Sequence, residues 1–160
     1  MSVYDRIAQL GLEVPPTPKP AAAYVPAVVA GNLAFASGQT NTVVGVLTVK
    51  GKVGREVSPE DAYQAARLAA LNCLACLESA LGSLDRIKRI VKVTGYVASA
   101  EGFGEQPRVV NGASDLLLEI FGERGQHARA ALGMAELPFG APVEVELIVE
   151  IGELAGEGGR

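Results

Sequence analysis

The 160-residue chain is 49% hydrophobic and 20% charged, which fits one globular domain able to bury a core and excludes a disordered chain. With 18 acidic against 14 basic residues its net charge is -4 and its pI near 5.1, so it lacks the clustered basic surplus that binds phosphate backbones. The one cationic run, RIKRIVK at 86–92, straddles a helix-to-strand boundary and reads as a solvated edge rather than a nucleic-acid contact.

Ser2 and Asp5 stand in capping-box spacing ahead of Gly11, which predicts a short amino-terminal helix. Pro15, Pro16, Pro18 and Pro20 then force an extended connector. Residues 1–20 are therefore expected as helix plus connector, 21–152 as the one folded domain and 153–160 as a flexible tail. AYVPAVVAGNLAFASGQ, 23–39, reads as two short strands turning at Gly31-Asn32. The glycine- and valine-rich segment 40–54 adds a strand or a long loop, and its pairing is left open.

Ser58, Pro59 and Asp61 supply an N-cap, a first-turn proline and an acid in capping-box spacing, and Gly82 supplies a stop. They predict a helix of about six turns over 59–82. Alanines at 62, 65, 66, 69 and 70 let this helix lie close to a sheet, with Glu60, Gln64, Arg67 and Glu78 as a narrow wet stripe. Cys73 and Cys76 fall inside it with no second cysteine pair or nearby histidine, so they read as packing residues, neither a zinc site nor a redox pair. IVKVTGYVAS, 90–99, alternates Val91, Val93, Gly95 and Val97 against Lys92, Thr94 and Tyr96 and reads as a strand. A second helix is predicted from near Pro107 to near Gly122, burying Val109, Val110, Ala113, Leu116, Leu117 and Ile120.

HARAALGMAELP, 127–138, sets one arginine among small and apolar residues. Alternation puts Arg129, Ala131 and Gly133 on one face and Ala128, Ala130, Leu132 and Met134 on the other, which leaves room beside the guanidinium. In VEVELIVEIG, 143–152, the residues Val143, Val145, Leu147, Val149 and Ile151 face one way and Glu144, Glu146, Ile148 and Glu150 the other. If the two strands form a hairpin closed by AELPFGAP, Arg129 stands directly across from Glu144, on the side of the sheet away from the helices. Such a pair is most often a structural ion pair; a pocket for a carboxylate is the alternative. His127 reads as a strand-end or interface residue, and nothing supplies Ser37 with the base and orienting acid of an acyl-transfer nucleophile. No metal site is expected from one histidine and two mid-helix cysteines. No apolar run approaches the ~20 residues of a membrane span. The first residues lack the grading of a secretory signal, so no membrane contact and a cytoplasmic location are expected.

AGNLAFASGQ at 30–39, GSLDRIKRIVKVTGYVAS at 82–99 and, above all, HARAALGMAELPFGAPVEVELIVEI at 127–151 resemble the YjgF/YER057c/UK114 or Rid family, which contains enamine/imine deaminases and is also known as endoribonuclease L-PSP. The chain is most similar to a subgroup slightly longer than the archetypal deaminases. The resemblance implies an α+β, chorismate-mutase-like (YjgF-like) fold, a mixed sheet with two long helices on one face, and a homotrimer whose sheets form a central barrel. Small carboxylate or imino-acid ligands would bind at the subunit interfaces, with no cofactor. By position, Arg129 would hold the substrate carboxylate and Glu144 orient the attacking water. Tyr24 would close over the ligand, Ser37 and Gly38 would line the pocket, and Asn111 and Ala131 would complete it.

The chain departs from the family pattern at Ala22-Ala23, where members have Gly-Pro, at Ala131, where many have cysteine, and after Gln39, where proline is usual. A backbone contact at 131 survives that change, whereas a side-chain contact does not. The implied reaction is hydrolysis of a 2-imino or enamine acid to a 2-keto acid and ammonia, which needs positioning of the acid and one water rather than a metal or covalent nucleophile. A carboxylate-binding regulatory trimer without turnover is the alternative. Ribonuclease action on single-stranded RNA ranks third, disfavoured by the acidic balance and the absence of a histidine pair.

Overall fold

Ser2 caps α1 (Val3–Gln9) through the reciprocal box its spacing predicted: Ser2 Oγ accepts from Asp5 N at 3.0 Å, and Asp5 Oδ2 accepts from Ser2 N at 2.9 Å. The computed structural model describes residues 1–153, so the tail expected over 153–160 lies, apart from Glu153, outside the described residues. Beyond the proline connector, β1 (Ala27–Ala30) and β2 (Leu33–Thr40) make the expected hairpin about Gly31-Asn32. The segment left open at 40–54 forms a separate two-stranded ribbon, β3 (Thr42–Val43) with β4 (Val46–Leu47). Buried Asn72 ties it down by donating to the carbonyls of Thr40 and Thr42, each at 3.0 Å.

Two helices do most of the covering. In α2 (Pro59–Leu81), Ser58 Oγ accepts from Asp61 N at 3.1 Å, and the helix stops at Gly82, whose φ of 78° places it in the left-handed region that glycine adopts without strain. The second, α3 (Gln106–Phe121), buries Val109, Val110, Ala113, Leu116, Leu117 and Ile120, the face predicted from periodicity. Three strands complete the main sheet: β5 (Ile87–Ala98), β6 (Ala128–Met134) and β7 (Val143–Ile151). Its order is β1-β2-β7-β5-β6, with β5 and β6 parallel and every other pair antiparallel, so this is a mixed-sheet α+β fold. Val143, Val145, Leu147 and Val149 turn inward under the helices, while Glu144, Glu146, Ile148 and Glu150 line the open face. In β5 a register shift between Ile90 and Lys92 breaks the simple alternation, so Ile90 and Val93 both face the core.

The expected β6–β7 hairpin does not form, because β5 lies between the two strands. The connection β5–α3–β6 is a helical crossover, and a strand returning from such a crossover pairs parallel to the one it left. It therefore occupies one edge of β5, and β7 takes the other. Arg129 is consequently in register with Val93, a core residue, and not with Glu144, which stands opposite Tyr96 and Thr40. Sharing Val93's side of the sheet, Arg129 lies on the helix face; the placement of arginine and carboxylates on one open face is corrected accordingly.

Close approach of α2 and α3 depends on Gly112, where a Cβ would run into the backbone carbonyl of Tyr63. Helix propensity alone would make Gly112→Ala stabilising by about 1 kcal/mol. Because backbone cannot move aside as a side-chain tip can, the substitution is expected instead to destabilise the fold by about 1–3 kcal/mol in a denaturant titration. A gain in stability would show that the two helices are not held together at this point.

Candidate functional site

Arg129 projects from the edge strand β6 toward α3, and among the described residues only one of its terminal nitrogens is engaged. Nη1 donates to Asn111 Oδ1 at 2.7 Å and to Ser114 Oγ at 3.3 Å, both on α3 one helical turn apart. Ser114 is itself fixed by His127, whose Nε2 lies 2.9 Å from Ser114 Oγ, while His127 Nδ1 lies 2.6 Å from the carbonyl of Gly125. No carboxylate pairs with Arg129 among the described residues, so the structural ion pair with Glu144 is not made. An exposed guanidinium held at one corner keeps its other donors available for a planar anion. Ala131 follows two residues on, on the same face, half-buried and opposite Gly95.

The second group of residues sits on the open face. Between Ala36 and Gln39 the register of β2 against β7 shifts, so Ser37 and Gly38 bulge toward the glutamates of β7. A Cβ at Gly38 would collide with Glu144 Oε1, which shows how closely the carboxylate lies over this backbone. Ser37 Oγ donates to the carbonyl of Val25 at 2.8 Å and Ser37 N donates to that of Pro26 at 2.9 Å, which ties down the segment carrying Tyr24. Tyr24 itself is 48% exposed. Burial first, and the charge of Glu146 second, push the Glu144 carboxyl above the usual carboxylate range. Glu146 accepts a 2.6 Å hydrogen bond from Tyr96, and that bond, with burial, raises the Tyr96 phenol to about 12.

The structure thus gathers Ser37, Gly38 and Glu144 beside the Tyr24 segment, and gathers Arg129, Asn111 and Ala131 at the edge under α3. It does not bring the two groups together. Arg129 is level with Leu147, two strands away from β7 and on the opposite face from Glu144. Two strand spacings amount to about 10 Å sideways, and the three residues from Leu147 to Glu144 add about 10 Å along the strand, too far for one three-carbon acid to bridge. Surface hollows of about 270 Å³ beside Arg6, Glu119 and Arg124, and about 200 Å³ beside Lys52, Glu136 and Gly140, contain none of these residues.

Sequence reasoning missed Ser114 and the part His127 plays with it. The signal was present as two spacings: His127 and Arg129 two apart on one strand face, and Asn111 and Ser114 three apart on one helix face. Both cysteines are buried in α2; Cys73 donates its thiol to the Val145 carbonyl at 3.1 Å, and burial pushes both thiols up, to about 11 at Cys76, away from thiolate chemistry.

A mixed sheet with two helices on one face, and a glutamate strand and an arginine strand flanking a common central strand, define an α+β protein of the chorismate-mutase-like kind. Residues 4–151 match the family described as "YjgF/chorismate mutase-like, putative endoribonuclease", and the chain belongs to that family. It is 45% identical to Protein TCP17 of Trypanosoma cruzi over 152 residues, covering 93% of this chain and 94% of that one. Among solved structures it is similar to a protein of unknown function from Agrobacterium tumefaciens, with 46% identity, a TM-score of 0.87, and coverage of 94% of this chain and 92% of that one. It is also similar to a "putative endoribonuclease" from Shewanella oneidensis, with 35% identity, a TM-score of 0.91, and coverage of 94% of this chain and all of the other (100%). No helix among the described residues is long and apolar enough to cross a membrane.

The raised carboxyl of Glu144 has a consequence for stability. A glutamate whose folded pKa lies above its unfolded value stabilises the fold in its protonated form, and that contribution is lost as pH rises through the folded pKa. Glu144→Gln is therefore expected to raise the melting temperature by a few degrees at pH 7, and the gain should vanish below about pH 3, under the unfolded pKa, where the wild-type carboxyl is protonated in both states. A variant less stable than wild type at pH 7 would contradict this reading of the carboxylate.

Proposed function

We propose that the protein hydrolyses small 2-imino and enamine acids, of the 2-aminoacrylate type, to 2-keto acids and ammonia, at a site shared between two copies in a homotrimer. The observation that carries the reading is the pair of half-sites within one chain: an incompletely engaged, oriented guanidinium at a sheet edge, and a carboxyl with raised proton affinity on the open face. Among the described residues neither group makes an ion pair that serves the fold of its own chain, and the two lie too far apart for a single chain to apply both to one small molecule.

The open face supports a neighbouring copy as its cover. Val28 at 51%, Phe35 at 39% and Leu132 at 45% exposure sit there with half-buried Ile148, an apolar patch interleaved with glutamates. Such surfaces mark contact with another protein. A symmetric arrangement that brings the Arg129 edge of one copy against the Glu144 face of the next closes the ligand between them.

In that site Arg129 grips the substrate carboxylate through two parallel N–H donors and so holds C2 in place. Glu144 accepts a proton from water as its oxygen bonds to C2 and the C=N pair moves onto nitrogen. The same carboxyl then returns the proton to nitrogen, completing a carbinolamine; it next takes the hydroxyl proton and passes it to the amine nitrogen, so that the C–N bond breaks and ammonia leaves as the C=O forms. A carboxyl with a raised pKa suits both halves of this transfer. Tyr24 would close over the ligand, and Ser37, Gly38, Asn111 and Ala131 would shape its surroundings.

Ammonia release from enzymatically generated 2-iminopropionate is the direct test: the protein is expected to accelerate it, and no acceleration would reduce the reading to binding without turnover. Arg129→Lys keeps the charge but loses the fork. It is expected to fold with an unchanged melting temperature yet to bind pyruvate or 2-ketobutyrate about a hundredfold more weakly in calorimetry, a loss of about 2–3 kcal/mol. Unchanged binding with a lowered melting temperature would make Arg129 a structural residue.

A further inference from the structure

Arg129 is anchored by a chain of hydrogen bonds whose direction can be worked out atom by atom. The Gly125 carbonyl can only accept, so His127 Nδ1, 2.6 Å away, carries the ring proton. In the neutral ring Nε2 is then an acceptor, and Ser114 Oγ, 2.9 Å away, donates to it. With its hydrogen committed, Ser114 turns lone pairs outward, and one of them accepts from Arg129 Nη1 at 3.3 Å beside the 2.7 Å bond to Asn111. Ser114 is only 8% exposed, on the buried side of α3, whereas Asn111 is exposed; the buried end of the chain is thus the one His127 controls.

We infer that His127 and Ser114 are positioning residues for Arg129: the imidazole, locked by the Gly125 carbonyl, fixes the Ser114 hydroxyl as an acceptor toward the guanidinium and so fixes the plane that Arg129 presents to a ligand carboxylate. This rests on the reading of Arg129 as the carboxylate-binding group, but the anchoring itself does not. A serine free to rotate would spend part of its time with its hydrogen aimed at a cationic N–H, which leaves Asn111 as the only holder of a side chain with four rotatable bonds. Holding the fork in advance spares the ligand the cost of ordering it. His127 touches neither substrate nor reacting atoms in this scheme, and acts through Ser114.

The full chain without ligand gives the first readout. Nitrogen-15 relaxation of the Arg129 Nε–Hε group, assigned by its disappearance in Arg129→Lys, reports how rigidly the guanidinium is held. Ser114→Ala and His127→Leu are expected to loosen it toward an ordinary surface arginine. His127→Gln, whose Oε1 can still accept from Ser114, should restore much of the order. Calorimetry with pyruvate on the same proteins should show affinity about tenfold weaker in the first two variants and within about threefold of wild type in the glutamine variant. Unchanged Arg129 order in Ser114→Ala and His127→Leu overturns the positioning role, whatever pyruvate does. Loosened Arg129 together with no pyruvate binding by the wild-type protein upholds the positioning role and overturns the proposed site. Should His127→Leu fail to fold, a long-range proton–nitrogen spectrum of the chain's one histidine decides beside Ser114→Ala: the proton on Nδ1 supports the inference, and the proton on Nε2 overturns it.

Discussion

Parallel pairing of β6 with β5 is the constraint from which the layout of the site follows. A strand that leaves the sheet, runs through α3 and returns beside its own starting strand must come back in the same direction, and the register it finds sets Arg129 level with Val93. That register puts the arginine on the face where α3 lies, within reach of Asn111 and Ser114. Meanwhile β7, excluded from that edge, pairs with the other side of β5 and turns its glutamates to the open face. Gly95 makes the arrangement physically possible: a Cβ there would strike Val110, so its absence lets α3 settle onto β5.

Separation of the two charged groups has an electrostatic logic. Had Arg129 and Glu144 met within one chain, each would have neutralised the other, and neither would have been available to a ligand. Apart, the guanidinium keeps open donors, and Glu144, half-buried beside Glu146 with no cation against it among the described residues, holds its proton more tightly than an ordinary carboxylate. The arrangement costs a little stability in each chain; in the proposed site, the pair would be assembled from two. Groups whose proton affinities are displaced in this way concentrate where chemistry is done.

Much of this was legible in the sequence because it rests on local rules. The Ser2–Asp5 box, the Ser58 cap, the Gly82 stop and the buried faces of α3 and β7 each follow from spacing within a dozen residues. What failed was non-local. Nothing within 127–151 says that a strand from 87–98 will slide between the two segments, so a short connection looked like a hairpin turn and Arg129 was placed on the wrong face. The ribbon at β3 and β4 was open for a similar reason, since it is fixed by Asn72 from α2. Ser114, and the contact that gives His127 more than the strand-end or interface part its position suggests, are not legible in the sequence because they lie between a helix and a strand end, whereas the Rid-like pattern pointed to Arg129, Glu144 and the residues around them by resemblance.

Sharing of each site between two copies is the central claim, and mixed oligomers test it most directly. Arg129→Lys chains and Glu144→Gln chains, each expected to be inactive alone, are unfolded together and refolded. If Arg129 and Glu144 come from different copies, about a quarter of the sites in a random mixture receive both native residues, and ammonia release from 2-iminopropionate returns to about that fraction of wild type. If the mixture stays as inactive as its components, the two residues act from one chain or not at all, and the shared site is wrong.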